Sequence, residues 1–534
     1  SDMKGIHILV FILILNSLIP VFAGEPTHYA IRLSTAPGST TSQSVSLLWG
    51  EGGKTDDDHH YSIYCNGKLL DTTAMTYYDV KNLHSDSSYH FQVKLQNKKN
   101  KVIYNSNLLY VRTSLSPKYF NIKDFGAVGD GKSLDTKAIQ QAIDACNKQG
   151  IVVVPKGVYL TGALFFKSYM TLYIEEGAIL KGSSDLAHYP IVRSRFEGIE
   201  GSQYASLING GTLLSGGIQE FSIRGKGIID ANGENLINQQ KKEGLGYRGR
   251  ILSLMNGENI CLEGVTFLQS PAWGVHFIYC MGVTIKDVYI NTRFDPETGR
   301  KYKIHNGDGL TIDSSKDIVV YNTTISSQDD NVSIKSGRDN DGRRVAKSTD
   351  NIKLFDCKFL GGFGVVVGSE MAGNVRNVLV NNCFYENTAC VSQLKAPWGR
   401  GGVIENITFK NIVHTDSIHH DNMWFRGAIC IDQYYGIENP DYTVRKEVDE
   451  NMPTIRDAWY ENITISKKYG FGMYLCGRPE NYVKNIYFRN VEIHSENGIY
   501  GRHLDGIHLK QTKIIPITGE TFEWVQTQNI QINQ

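Results

Sequence analysis

The sequence predicts an all-β protein, a right-handed parallel β-helix preceded by a small β-sandwich. Three observations carry this expectation. Short segments rich in Val, Ile, Thr and aromatic residues recur from Asn259, Gly282, Asp317, Asn351, Asn377 and Asn485. The first two starts lie 23 residues apart and the fourth and fifth 26, with Asn, Asp and Gly at the corners and no helical pattern between. Strands at that period without crossover helices are stacked rungs of a solenoid. Ahead of them, residues 25–114 alternate apolar and polar around Trp49, Tyr61 and Ile63, and Tyr89, Phe91 and Val93, with Asn66-Gly67 as a hairpin turn.

Residues 3–23 read as an export signal: Lys4, an apolar run from Ile6 to Ile19, then Val21-Phe22-Ala23 before Gly24. Asn16, Ser17 and Pro20 interrupt that run, so no membrane span is expected in the mature chain. The expected location is secreted or periplasmic, in a bacterial envelope. Within 25–114, Leu83 followed by Tyr89 resembles the tyrosine corner of sandwiches, and the unit looks like a fibronectin type III domain. It is expected to serve as a spacer or to orient substrate; carbohydrate binding through its aromatics is the alternative.

The unit at 119–534 is expected to be the β-helix. It opens with Gly126, Gly129 and Gly131, a cluster without the Gly-Lys-Ser/Thr ending of a phosphate loop or the spacing of a dinucleotide fingerprint. Ala138, Ile139, Ala142, Ile143 and Cys146 then fall on one helical face that Gly150 closes. A short amphipathic helix there would cap the open end of the solenoid, where bare strand edges invite aggregation. Two polar insertions, 337–350 and 416–457, project from fixed corners, and such loops usually wall a groove.

Composition narrows the function. The 534 residues hold 55 Lys+Arg and 55 Asp+Glu, so no polyanion-binding surface and no nucleic-acid partner is expected. Nine cysteines with no Cys-x-x-Cys pair argue against a zinc site or disulfide framework, and no metal or cofactor is implied. The sequons at Asn322, Asn331, Asn406 and Asn462 read as corner residues of repeats, because a glycan on Asn331 would cover its acidic neighbours.

Those neighbours are the chemical signal. Asp308 stands in Asn306-Gly307-Asp308-Gly309, and Asp329-Asp330 follow 21 residues later, one rung of the repeat. Rungs are about 5 Å apart. Three carboxylates at such range raise one another's pKa, so one acid can stay protonated beside an ionised partner, as glycoside hydrolysis requires. The bland alternative is a ladder of Asp and Asn corners.

The order of four strings is more specific: Ser270-Pro271-Ala272-Trp273-Gly274-Val275-His276, then the Asp308 string, then Gln328-Asp329-Asp330-Asn331 with Lys335-Ser336-Gly337, then Gly368-Ser369-Glu370-Met371. In that order they resemble glycoside hydrolase family 28, the polygalacturonases, with the Arg338–Arg344 insertion similar to the exo-acting bacterial branch. The resemblance implies Asp329 as general acid, with Asp308 and Asp330 holding and deprotonating the attacking water. Inversion would need about 6.5–9.5 Å between acid and base. It further implies substrate contacts at His276, Lys395 and Tyr435, with Glu370 near the motif. The partner would be a pectic oligosaccharide or polysaccharide.

Two positions depart from the family pattern. Gly362-Phe363-Gly364 stands where a Gly-His-Gly is usual, and Gln393-Leu394-Lys395 where an Arg-Ile-Lys is. Loss of that Arg removes a bidentate partner for a carboxylate, so Phe363 and Gln393 are expected to mark altered specificity. The reading is a secreted exo-acting inverting hydrolase releasing α-linked galacturonic acid. Its alternatives are a galacturonidase on branched pectin such as rhamnogalacturonan, a pectate lyase on the same fold, and a non-catalytic β-helical glycan-binding protein.

Overall fold

A computed structural model of the chain describes residues 31–533; the expected export signal at 3–23 lies outside them. Most of the strands pair in one 33-stranded, parallel sheet that winds as a right-handed β-helix. Each middle turn has three strands. One turn is Leu310–Asp313, Lys316–Tyr321 and Thr324–Ser326; the next is Val332–Lys335, Thr349–Phe355 and Lys358–Leu360, in register with it strand for strand. Alternation sorts the side chains. Leu310, Ile312, Val332, Ile334, Val365 and Val367 point into one continuous core, while Thr311, Asp313, Ser333, Lys335 and Val366 stand on the outer face.

The corners are Asn and Asp in left-handed conformation, which these short polar side chains tolerate. Asn322, Asn406 and Asn462 have φ of 46°, 55° and 53° and join side-chain ladders, Asn322 to Asp287, Asn406 to Asn377 and Asn462 to Asn411. Asn331 is wholly buried and caps Gly364 N–H. The four sequons are therefore built from ladder and interior residues. All nine cysteines are free, eight of them buried.

The first turns carry the cap. Helix Thr136–Ala145 buries Ile139, Ala142 and Ile143, and the Asp135 carboxylate accepts from Val128 and Gly129 N–H, which gives the glycine cluster a structural partner. The N-terminal unit is a sandwich. Ser34–Thr35, Val45–Leu48 and Tyr77–Val80 form one antiparallel sheet, and a five-stranded sheet around His59–Cys65 and Ser88–Asn97 forms the other. Between them lie Leu47, Trp49, Ile63, Phe91 and Val93. The Tyr89 hydroxyl accepts from His84 N–H, as in a tyrosine corner.

The sandwich docks on a side of the β-helix remote from the outer face that carries Ser333 and Lys335. Tyr77 and Leu48 pack on Val319, Tyr321 and Phe355, Gly53 N–H bonds Asp356, and Lys286 Nζ lies 2.6 Å from Asp79 and 3.0 Å from Glu263.

Candidate active site

Asp308 and Asp330 each stand two residues before a strand, and those strands pair Leu310 with Val332. The register therefore sets the two carboxylates one above the other, and backbone bonds Gly274 N–H to Asp308 O and Gly309 N–H to Asp330 O lock both turns. Asp329 joins them: one oxygen from each of the three lies within 4.8 Å of the others. Gly362 permits this packing. At φ 71°, a Cβ there would sit 2.3 Å from Asp329 O.

Asp308 and Asp330 are buried and Asp329 is partly open. Burial, then the charges of Asp329 and Asp330, drives Asp308 well above the ordinary carboxylate range. Burial and Asp330 push Asp329 up to about 7, so it carries a proton at mildly acidic pH. Ser333, on the strand that Asp330 leads into, has its hydroxyl 2.9 Å from both Asp308 Oδ2 and Asp330 Oδ2. Asp308 Oδ1 and Asp330 Oδ1 have no protein partner. Asp329 and Asp330 are neighbours in the chain and Asp308 comes from the preceding rung, so the nearest oxygens of the trio are close, whereas the separation of about 6.5–9.5 Å expected of an inverting pair is between whole carboxyl groups.

Cations surround the trio. Lys395 Nζ lies 3.6 Å from Asp330 Oδ2 and donates to the Tyr435 hydroxyl at 3.2 Å. Against the effect of burial, Asp330 and Tyr435 hold the Lys395 ammonium well above its usual range. Next to it Lys335 meets Glu370 at 2.6 Å and Gly368 O at 2.8 Å. Glu370, despite burial, is held far below the usual range by Lys335 and Arg400. Three carboxylate oxygens this close also suit a hard cation, but here Lys395 and Ser333 reach the same oxygens.

Other sequence candidates sit differently. His276 is wholly buried, its ring between Asp313 (3.1 Å) and Arg250 Nε (3.4 Å); burial lowers it to about 4, so it is neutral. Gln393 is also buried, and its amide donates to Trp424 O. Phe363 packs on Phe425 at 4.5 Å and edge-on to His419 at 5.5 Å, both from the 416–457 insertion. The structure thus gathers Asp308, Asp329, Asp330, Lys395 and Tyr435 at one spot, with Glu370 one step removed through Lys335. It sets His276, Gln393 and Phe363 into packed surroundings.

Sequence reading missed the hairpin Ile191–Phe196 and Ile199–Tyr204. Its tip meets the other insertion, with Arg338 N–H on Gly198 O and Arg338 3.5 Å from Glu197. Its Arg195 is buried against Asp313 at 3.1 Å. Arg250 is buried too, bonded to the Arg248 and Gly249 carbonyls, and burial with the Arg248 charge lowers it to about 9. The hairpin itself is local, turning at Glu197-Gly198, but its docking on Asp313 and Arg338 joins distant parts of the chain that no local period relates. Ser333 and Lys335 were within reach, since period-two alternation from the inward Val332 and Ile334 puts both outside.

The chain is similar to known proteins over most of its length. The chain is 29% identical over 442 residues to an exo-poly-alpha-D-galacturonosidase of Dickeya chrysanthemi, covering 69% of this chain and 72% of that one. A probable polygalacturonase of Vitis vinifera is 27% identical, covering 70% and 74%. Among solved structures, a family 28 exopolygalacturonase of Yersinia enterocolitica matches 94% of this chain and 99% of its own at a TM-score of 0.79 and 21% identity. A hyperthermoactive exopolygalacturonase from Thermotoga maritima matches 76% and 93% at a TM-score of 0.61 and 26% identity. The model of glycosyl hydrolases family 28 matches residues 151–512, a span that includes all three aspartates. With that match over most of its length, the chain belongs to glycosyl hydrolases family 28.

Proposed function

We propose that the protein is an exo-acting polygalacturonase that releases α-linked galacturonic acid from pectin-derived chains. The observation that carries this reading is the meeting of three carboxylates within 4.8 Å, one of them lifted to about 7 by burial and by its neighbour. Asp329 protonates the leaving oxygen, and Asp308 and Asp330 hold the attacking water at their unpartnered Oδ1 atoms, where it gives up its proton. Water held there attacks the anomeric carbon from the face opposite the leaving oxygen, and the anomeric centre inverts. Lys395 and Tyr435 supply positive charge and a hydroxyl for an acidic sugar. Exo action is supported by the hairpin that meets the Arg338 insertion, and by relatives named for it. The leader expected at 3–23 would deliver the enzyme to the periplasm or outside the cell, with 25–114 a docked accessory unit and 119–534 the catalytic one.

Oligogalacturonates labelled at the reducing end test this directly. Monomeric galacturonate should appear first, with the label retained on the shortened chain, and nuclear magnetic resonance should show the β-anomer before mutarotation. Early mid-length products would refute exo action, and an initial α-anomer would refute inversion.

One observation favours a second reading, a galacturonidase acting on branched pectin such as rhamnogalacturonan. Gln393 is spent on the Trp424 carbonyl, so no charged group at that position grips a second galacturonate. Faster turnover of a rhamnogalacturonan oligosaccharide than of oligogalacturonate would decide for it.

A further inference from the structure

Ser333 poses a counting problem. Its oxygen is 2.9 Å from Asp308 Oδ2 and 2.9 Å from Asp330 Oδ2, and it is wholly buried. A hydroxyl has one hydrogen to give. If both aspartates were ionised, one carboxylate oxygen would face the serine's lone pairs at hydrogen-bond distance with no hydrogen between, inside a buried site that already holds two negative charges. Two full hydrogen bonds form here only with one proton on one carboxyl, which donates to the serine while the serine donates to the other.

The surroundings say which. Lys395 Nζ is 3.6 Å from Asp330 Oδ2, while among the described residues no ammonium or guanidinium lies within 4 Å of Asp308. The other titratable groups facing the pair are Asp329, Lys335 and Tyr435, with Arg248 and Arg250 behind Asp308 at longer range. Negative charge is stabilised on the Asp330 side and disfavoured on the Asp308 side.

We propose that Asp308 holds a proton and donates it to Ser333 Oγ, that Ser333 donates its own hydrogen to an ionised Asp330, and that Asp330 alone is the base. This rests on the hydrolytic reading above. In the reaction, the water oxygen bonds the anomeric carbon and its proton passes to Asp330 Oδ1. The glycosidic C–O bond breaks, and its electron pair takes the Asp329 proton. Asp329 ends ionised and Asp330 protonated, the net charge is unchanged, and proton exchange with solvent resets the pair. Ser333 and Asp308 are positioning residues that keep one charge on the correct carboxylate.

The test compares Asp330→Asn, Asp308→Asn, Ser333→Ala and Ser333→Thr. Asp330→Asn should lose about 10²–10⁴-fold in kcat. Asp308→Asn, whose amide N–H can replace the donor to Ser333, should lose less than about tenfold. Ser333→Ala should move the acidic limb of the kcat/KM profile upward by about 1–2 pH units, because the ionised base loses a charge-assisted donor, and Ser333→Thr should move it back. Infrared difference spectra in an Asp329→Asn background, which removes that acid's own carboxyl band, should show at neutral pH a protonated carboxyl that Asp308→Asn removes and Asp330→Asn leaves in place. That spectroscopic outcome needs no turnover, so it decides the proton's place even if no galacturonide proves to be a substrate, a result that would defeat the hydrolytic reading alone. Equal losses for the two Asn variants, an unmoved Ser333→Ala profile, or a carboxyl band that survives Asp308→Asn would each overturn the proposal.

Discussion

Among the described residues there are two places where three carboxylates approach within 4.8 Å, Asp308-Asp329-Asp330 on the outer face and Asp79-Glu263-Asp287 at the seam between sandwich and β-helix. At the seam, Lys286 inserts between Asp79 and Glu263 at 2.6 and 3.0 Å, and Arg224 also holds Glu263. Although burial opposes its charge, those acids keep the Lys286 ammonium above its usual range. On the outer face the nearest ammonium stands 3.6 Å from one acid, and a single hydroxyl is shared by two. At the seam Asp79 and Glu263 are each paired with a cation and hold two units together, while burial raises the unpaired Asp287. The other site retains surplus negative charge, and burial converts that surplus into two raised carboxyl groups. Proximity of acids alone is thus no mark of chemistry; incomplete compensation is.

The largest expected difference follows from removing the proton donor. Asp329→Asn should cost about 10²–10⁴-fold in kcat with folding intact, measured by product release; a wild-type rate would end the general-acid assignment. In the unaltered enzyme, kcat should fall as pH rises through about 7, where Asp329 gives up its proton. An alkaline limb governed by a group far above that value would point to another acid.

At the seam, Lys286→Met should leave kcat unchanged and destabilise the chain. Removing one partner of a buried pair typically costs about 3–5 kcal/mol. Asp79 and Glu263 are 35% and 29% exposed, so the expected loss is about 1–2 kcal/mol in denaturant unfolding. A change in turnover without one in stability would erase the contrast between the two clusters.

Gln393→Arg sharpens the contrast differently. The bare sequence invites the idea that an arginine there would grip a carboxylate. In the structure the side chain lies under the 416–457 insertion with its amide on Trp424 O. The larger side chain should therefore displace that loop, lowering stability by about 1–3 kcal/mol and activity on polygalacturonate as well. Improved turnover of polygalacturonate would show that the loop yields and the position faces substrate.

The smallest effect is one of linkage. A carboxyl raised in the folded state contributes stability that is complete below its unfolded pKa and lost as pH climbs to the folded value. For Asp329 that window runs from about 4 to about 7. Asp329→Asn should therefore be more stable than the parent by about 1–2 kcal/mol at pH 8 and equal to it at pH 3. Equal melting temperatures at both pH values would mean that the carboxylate is better solvated than its burial indicates.

Local pattern determined the large features. The rung period, the corner Asn and Asp residues, the alternation in the sandwich and the amphipathic cap are short-range regularities, each legible because rise and side-chain direction repeat along a strand. The spacing of 22 residues, one rung, placed Asp308 beside Asp330 for the same reason, and the order of motifs pointed to the family. Tertiary structure alone decided what depends on residues far apart in the chain. Examples are the hairpin tip against Arg338, the docking of Asp79 on Lys286, and the burial of His276 under Arg250. It also decided the spending of Gln393 on a loop carbonyl and the closeness of the acids. Sequence names the ionisable groups, but their charge is set by burial and by neighbours brought in from other rungs, and neither is written in a local period.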